Sequence, residues 1–238
     1  MENIPDTILK DVEIIYEDNH LLVVKKPVNM LTQGDMTGDE NLLDLLKEYI
    51  KVKYNKPGNV YLGLVHRLDR PVGGVMVFAR TSKAASRISE QIRNREFRKQ
   101  YMAVVHGIPE RKKGILRHCL VKDAKTNMSY VSHERDDKAK EAVLEYEVVN
   151  SDNINLLSLV CIDLHTGRPH QIRVQFSHEG HPLYGDVKYG LPLTKDEKPL
   201  ALFSHSITLW HPVLKNEMIF RAPLPDMYPW NLFDRIQA

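Results

Sequence analysis

The feature that most constrains this chain is a charged turn set between two apolar runs. Val60-Tyr61-Leu62-Gly63-Leu64-Val65 reads as a buried strand, and Val75-Met76-Val77-Phe78-Ala79 reads as another. Between them stands His66-Arg67-Leu68-Asp69-Arg70-Pro71-Val72-Gly73-Gly74, where Pro71 and the glycine pair make the reversal sharp. In strand alternation Asp69 shares a face with Arg67, because side chains two apart point the same way. Nearby cations favour an ionised acid, so Asp69 is expected to carry its charge at neutral pH. An aspartate opening a Pro/Gly turn is equally well explained as a turn residue, and this stretch alone does not decide.

The rest of the chain supplies strands to pair with that hairpin. Glu13 to Lys25 reads as two short strands about Asp18-Asn19, with Ile14, Ile15, Leu21, Leu22, Val23 and Val24 as core candidates. Lys26-Pro27-Val28-Asn29-Met30 breaks the regularity. Apolar residues at 42, 45, 46, 49 and 50 predict a helix capped by Asp39 or Asn41. A second helix, capped by Thr81 or Ser82, runs to about Glu96. Ala84, Ala85, Ile88 and Ile92 lie inside it, and Lys83, Arg87, Arg93 and Arg95 outside. Strands are expected at Gln100–His106, Gly114–Val121, Met128–His133, Ala142–Val149, Leu156–Leu164, Ala201–Trp210 and Glu217–Arg221. A short helix, His170–His178, is stopped by Gly180. Many strands with few helices between them predict an α+β chain with a mixed, largely antiparallel sheet rather than a doubly wound one.

Composition sets limits. At 238 residues, with 42% hydrophobic and 27% charged, the chain has ample material for a core. It shows no internal repeat, no clear linker, no transmembrane run and no signal-peptide pattern. Cys119 and Cys161 stand far apart, outside any C-x-x-C spacing, and read as a buried reduced pair in a cytoplasmic protein. Net charge is only +2, but it is unevenly spread. Lys83 to Lys125 holds twelve Lys or Arg against four Asp or Glu, while the remainder is acidic. Such a segment suits a phosphate backbone, although a charge run is as readily a solvated face.

Several chemistries are set aside by absence of their motifs. The chain has no G-x-x-x-x-G-K-[ST] phosphate loop, no G-x-G-x-x-G after a strand and no G-x-S-x-G elbow. Eleven histidines raise a metal reading, centred on His165, His170, His178 and His181, but no H-E-x-x-H occurs and no cysteine stands near them. Three elements remain. Asp69 could act as a nucleophile. Tyr101, after the basic helix, could move a proton or be a core tyrosine. Thr166-Gly167-Arg168-Pro169-His170-Gln171-Ile172-Arg173 brings an arginine able to hold a carboxylate or simply to face solvent.

In their order along the chain these elements resemble RNA pseudouridine synthases of the RluA type. His66-Arg67-Leu68-Asp69-Arg70 with Gly73-Gly74 resembles the family's catalytic motif. Lys26-Pro27 with Met30-Leu31 resembles its first motif, and Lys99-Gln100-Tyr101-Met102-Ala103-Val104-Val105-His106-Gly107 its tyrosine segment. Thr166 to Arg173 resembles its arginine motif, and Tyr184-Gly185-Asp186 and Ala201 to Pro212 fit later segments. The resemblance implies that Asp69 is the nucleophile that isomerises uridine to pseudouridine. It implies Tyr101 stacked on the base as a proton-transfer candidate, Arg173 paired with Asp69, and Arg67 filling the gap left by a flipped uridine. RNA is the expected partner, with Arg67, Arg70, Arg93, Arg95, Arg98, Lys99, Arg168 and His170 as its contacts. No cofactor and no metal are expected, nor any membrane, and the protein is expected to act as a monomer. The implied fold is a central sheet with flanking helices and an RNA-binding cleft, in a single catalytic domain over residues 1–238. No S4 domain is expected before the first motif. Leu31-Thr32-Gln33-Gly34-Asp35 departs from the family pattern and receives no role.

Two other readings stand beside this one. A catalytically silent RNA-binding or RNA-remodelling protein would need basic groups but no central acid. A carboxylate-using hydrolase would need a second acid near Asp69, where the neighbouring motifs carry arginines.

Overall fold

The computed structural model describes residue 9 and residues 11–132, 136–190 and 199–236. The chain forms two compact units. One comprises residues up to Arg98 together with Ser204–Ala222, and the other Lys99–Phe203 together with the segment from Pro223.

In the first unit, β1 (Glu13–Glu17) and β2 (Leu21–Lys26) form an antiparallel hairpin across Asp18-Asn19. The Asp18 carboxylate closes that turn, accepting from the N–H groups of His20 and Leu21 at 2.7 and 2.6 Å. β2 pairs antiparallel with β4 (Gly73–Ala79), in register from Leu21–Ala79 to Lys26–Gly74. Every residue of β4 is buried, as an uninterrupted apolar run predicts for an interior strand. On its other side lies β10 (Leu202–Trp210), which carries β11 (Glu217–Arg221). Gly74 has φ +115°, and a Cβ there would stand 2.2 Å from the Ser204 carbonyl oxygen, so only glycine permits this approach.

Helix α1 (Leu42–Lys53) is capped by Asn41, whose side chain accepts from the Asp44 N–H, and it buries the five residues its spacing marked. Helix α2 (Ser82–Arg93) is capped by Thr81. It ends three residues before the expected Glu96, because Arg95 takes a left-handed conformation at φ 61°. Its inner face is Ala84, Ile88 and Gln91, with Ala85 and Ile92 half-buried. Gln91 earns its place by donating to the Trp210 carbonyl at 2.7 Å and accepting its N–H at 2.9 Å.

One expected strand is much reduced. Of Val60–Val65 only β3 (Gly63–Leu64) joins a ladder, opposite Phe78 and Ala79 of β4, and Tyr61 is exposed. Beyond Leu64 it is the His66 side chain, not its main chain, that meets β4, by accepting the Val77 N–H. The alternation argument for Arg67 and Asp69 therefore does not apply. Across the turn Arg67 is exposed, Leu68 buried, Asp69 half-buried and Arg70 exposed.

The second unit is an antiparallel sheet. β5 (Arg98–His106) pairs with β9 (Leu157–Leu164), β9 with β8 (Lys140–Asp152), β8 with β6 (Lys113–Asp123), and β6 with β7 (Met128–Ser132). The expected end of β7 at His133 lies outside the described residues. Helix α3 (Gln171–His178) buries Gln171 to Phe176 without a break, so it is a core helix rather than an amphipathic surface one. A 3₁₀ segment, Trp230–Ile236, packs Trp230 edge-on to Phe203. The α+β architecture with few helices is the one expected.

Candidate active site

The Asp69 turn is fastened by residues far from it in sequence. Lys26 ends β2 with a fully buried side chain, and its Nζ donates to the carbonyls of Met30 at 2.6 Å, Pro27 at 3.1 Å and Arg70 at 3.1 Å. Three acceptors occupy all three ammonium N–H groups, which makes a buried lysine tolerable. Burial pushes the Lys26 pKa down to about 7; the Asp69 charge pulls it up, and Arg70 pushes it down again. Thr32, also buried, donates from Oγ1 to the Leu68 carbonyl at 2.8 Å and receives the Leu68 N–H at 3.4 Å. His66 accepts the Val77 N–H at Nε2, at 3.0 Å, and the Val72 N–H bonds the Asp69 carbonyl at 3.0 Å. The Leu68–Asp69 peptide and the Arg70 carbonyl are thus held from outside the turn, and the Asp69 carbonyl from within it.

The arginines of this turn do not crowd together. Arg70 turns to Asp39 at 2.6 Å and donates to the Asn29 carbonyl at 3.2 Å. Arg67 points its charge to the surface.

In the second unit Tyr101 is buried on β5, opposite Ile162 of β9. The Thr166–Arg173 motif forms a tight turn into α3. Gln171 Oε1 accepts the Thr166 hydroxyl at 2.8 Å and the Arg168 N–H at 3.0 Å. His170 enters the helix in a left-handed conformation, φ 54°, with its Nδ1 2.8 Å from the Tyr189 hydroxyl. Arg168 donates to the Glu141 carbonyl at 2.9 Å. Arg173 is buried and forms a bidentate pair with Asp186, at 2.7 Å to Oδ2 and 2.6 Å to Oδ1, and lies over the Tyr189 ring. Asp186 also accepts the N–H groups of Lys188 and Tyr189 at 2.9 and 3.1 Å. A guanidinium held at both nitrogens is fixed in direction as well as in charge.

Lys26, Thr32, Asp186 and Tyr189 are absent from the candidate residues read from sequence. Lys26-Pro27 and Tyr184-Gly185-Asp186 were visible as motifs, but a lysine before proline reads as a loop residue. Nothing local marks the partner of an arginine thirteen positions away.

The basic segment is less free than its composition suggests. Arg98 pairs with Glu217, Lys113 with Glu147 and Arg117 with Glu141. Arg93 and Arg95 are exposed, while burial lowers the pKa of Lys99.

One group among the described residues, His118, His178 and Glu179, could offer three ligands to a metal. His118 Nε2 is already 3.0 Å from Glu179. Gln175 Nε2, which donates to the carbonyls of Leu116 and Ala142, faces its Nδ1 at 3.0 Å. A metal on Nε2 would put a proton on Nδ1, pointing at that amide donor. The group is better described as a tie between β6 and the end of α3. His165, His170 and His181 have other partners, in Glu145, Tyr189 and the His106 carbonyl.

The α+β fold thus carries an acid on a pinned turn and an arginine in a buried ion pair. Comparison with known proteins gives the class. Residues 20–178 match the family model described as RNA pseudouridylate synthase. The chain is 34% identical to the dual-specificity RNA pseudouridine synthase RluA of Escherichia coli, across 88% of this chain and 92% of that protein. It is 32% identical to the ribosomal large subunit pseudouridine synthase C of Buchnera aphidicola, across 89% of this chain but only 66% of that protein's length. The solved structure of human RNA pseudouridylate synthase domain containing 4 superposes with a TM-score of 0.76 at 25% identity, covering 94% of this chain and 92% of that one. The chain belongs to the RNA pseudouridylate synthase family, isomerases that act on RNA.

Proposed function

We propose that this protein isomerises specific uridines in structured RNA, ribosomal or transfer, to pseudouridine, with Asp69 as nucleophile and the target base flipped out of its stack. The observation that carries the reading is the setting of Asp69. A half-buried carboxylate sits on a turn whose neighbouring peptide groups are gripped by a buried lysine and a buried threonine. A turn residue with no further duty does not need a buried ammonium in its support. The reaction breaks the base–sugar bond, rotates the base and rejoins it through carbon, with no oxidant, reductant or energy source required.

Extrusion is physically required, since a stacked base hides its glycosidic bond. Arg67, exposed beside Asp69, supplies the group that fills the vacated place. Tyr101 stacks on the base and serves proton transfer, and Arg173 is the arginine that pairs with the nucleophile. Arg70, Arg93, Arg95, Arg98, Lys99, Arg168 and His170 are the proposed contacts to RNA. Arg98 gives up an ion pair to take part. One relative is named for the large ribosomal subunit and another for dual specificity, which supports a structured RNA substrate. We place the protein in the cytoplasm as a single catalytic domain acting as a monomer. Among the described residues no helix is long and apolar enough to cross a membrane.

Mapping pseudouridines in cellular RNA with and without this gene tests the proposal. Loss of one or a few defined sites, restored by the wild-type gene and not by Asp69→Asn, is the expected result. An unchanged map would reject it.

A further inference from the structure

Thr32 lies in the segment that departs from the family pattern, and the structure gives it a specific attachment. Its hydroxyl meets both polar groups of Leu68, donating to the carbonyl at 2.8 Å and receiving the N–H at 3.4 Å, across 36 positions of sequence. The side chain is 5% exposed. Behind it lies Met76 of β4, with the sulfur 3.8 Å from Oγ1, so the hydroxyl sits between the sheet and the turn. Leu68 immediately precedes Asp69, and its own side chain is buried.

The chemistry of that contact is selective. A buried threonine in an apolar site usually spends its hydroxyl on its own helix or strand. Here the hydroxyl serves a main-chain unit of another segment, the one whose orientation sets where the next Cα–Cβ bond points. On the far side the Asp69 carbonyl accepts the Val72 N–H at 3.0 Å, and one peptide further on Lys26 grips the Arg70 carbonyl at 3.1 Å. With the peptide on each side fixed, the Asp69 backbone has little freedom to rotate. A small rotation at Leu68 would swing the carboxylate by a large fraction of an ångström. Misplacement by about 1 Å can cost a reaction roughly a hundredfold.

We infer that Thr32 is a positioning residue for the reaction, aiming the Asp69 carboxylate through the Leu68 peptide and contributing to turnover rather than to RNA affinity. This rests on the reading of Asp69 as nucleophile. Valine keeps the shape of threonine and removes the hydroxyl, whereas serine keeps the hydroxyl and removes the methyl.

The test compares Thr32→Val, Thr32→Ser and Asp69→Asn in the full chain. Single-turnover rates are read by tritium release from 5-tritiated uridine in a substrate RNA that the wild type modifies, and Kd for the same RNA is measured separately. Thr32→Val should slow the single-turnover step on the order of ten- to a hundredfold. Its Kd should stay within about twofold, because the hydroxyl is buried away from RNA. Thr32→Ser should recover most of the rate. If Thr32→Val does not fold, Thr32→Cys takes its place, since a thiol is a weak donor of similar size. A wild-type rate without the hydroxyl, a loss confined to Kd, or serine no better than valine would each overturn the inference while Asp69→Asn stays inactive. An active Asp69→Asn would instead remove the nucleophile reading, and this inference with it.

Discussion

The two regions proposed to carry the chemistry are built on opposite plans. The Asp69 turn is held at its main chain, where Lys26 and Thr32 grip the carbonyls of Arg70 and Leu68. Arg173 is held by its side chain, in a buried bidentate pair with Asp186 that two further N–H groups reinforce. The difference suits the parts. A nucleophile must be aimed at the reacting atom, which supports on its backbone accomplish. A supporting cation can be fixed at its guanidinium and still offer remaining donors. The first plan spends neutral carbonyl contacts, and the second a desolvated charge pair, so they should fail by different amounts.

The largest loss is expected where the charge pair is cut. Asp186→Asn leaves a buried guanidinium without its carboxylate and should destabilise the protein by about 3–5 kcal/mol. Urea denaturation of the variant against wild type measures it. The double variant Arg173→Met/Asp186→Leu removes both charges and should regain much of that stability while remaining inactive. A loss below about 1 kcal/mol in Asp186→Asn would mean the pair is no stronger than an exposed one.

Cutting the main-chain plan should cost less. Lys26→Met leaves three carbonyls without their donor, at about 1–3 kcal/mol in total, because relief of a buried charge offsets part of the loss. The pH dependence carries its own sign. The folded protein sheds the Lys26 proton near pH 7, whereas the unfolded chain keeps it to the ordinary lysine range. Between these values the unfolded state binds more protons, so this residue makes wild-type stability rise with pH. Below pH 7 both states hold the proton and the contribution is flat. Urea midpoints at pH 7 and pH 9 should show a smaller rise in Lys26→Met than in wild type, and equal slopes would exclude a depressed Lys26.

The smallest effect is expected at an exposed pair of the same ion types. Arg117 and Glu141 meet diagonally across β6 and β8 with side chains 65% and 49% exposed. Glu141→Gln should change stability by less than about 1 kcal/mol, and by less again at high salt. A cost matching that of Asp186→Asn would erase the distinction between buried and exposed pairs.

What was readable before the structure follows the same divide. The uninterrupted apolar run Val75–Ala79 and the mostly apolar, mostly buried Leu157–Leu164 are legible within a few residues, because burial dominates both. Helix α1 matched its spacing at all five buried positions. Val60–Val65 is shorter as a strand than its apolar run suggests, because β4 pairs only with Gly63 and Leu64 and next meets the His66 side chain. The motifs around Asp69, Tyr101 and Arg173 were visible as residues, but their supports were not. Lys26 looks like a solvated lysine, and Thr32 like a loop threonine. Their burial comes from how β2 and the turn fold against each other, which no window of sequence contains. Asp186 was visible only as part of a motif, because an ion pair thirteen residues long leaves no periodic trace.

The central claim is that the Asp69 carboxylate does the chemistry while the scaffold only holds it. Its most direct test is tritium release from RNA carrying 5-tritiated uridine, with wild type and Asp69→Asn at equal RNA occupancy. The amide keeps the shape and the turn but not the nucleophilic charge. Asp69→Asn should bind RNA within a few-fold of wild type and release tritium only at the background rate. Release near the wild-type rate would contradict the account.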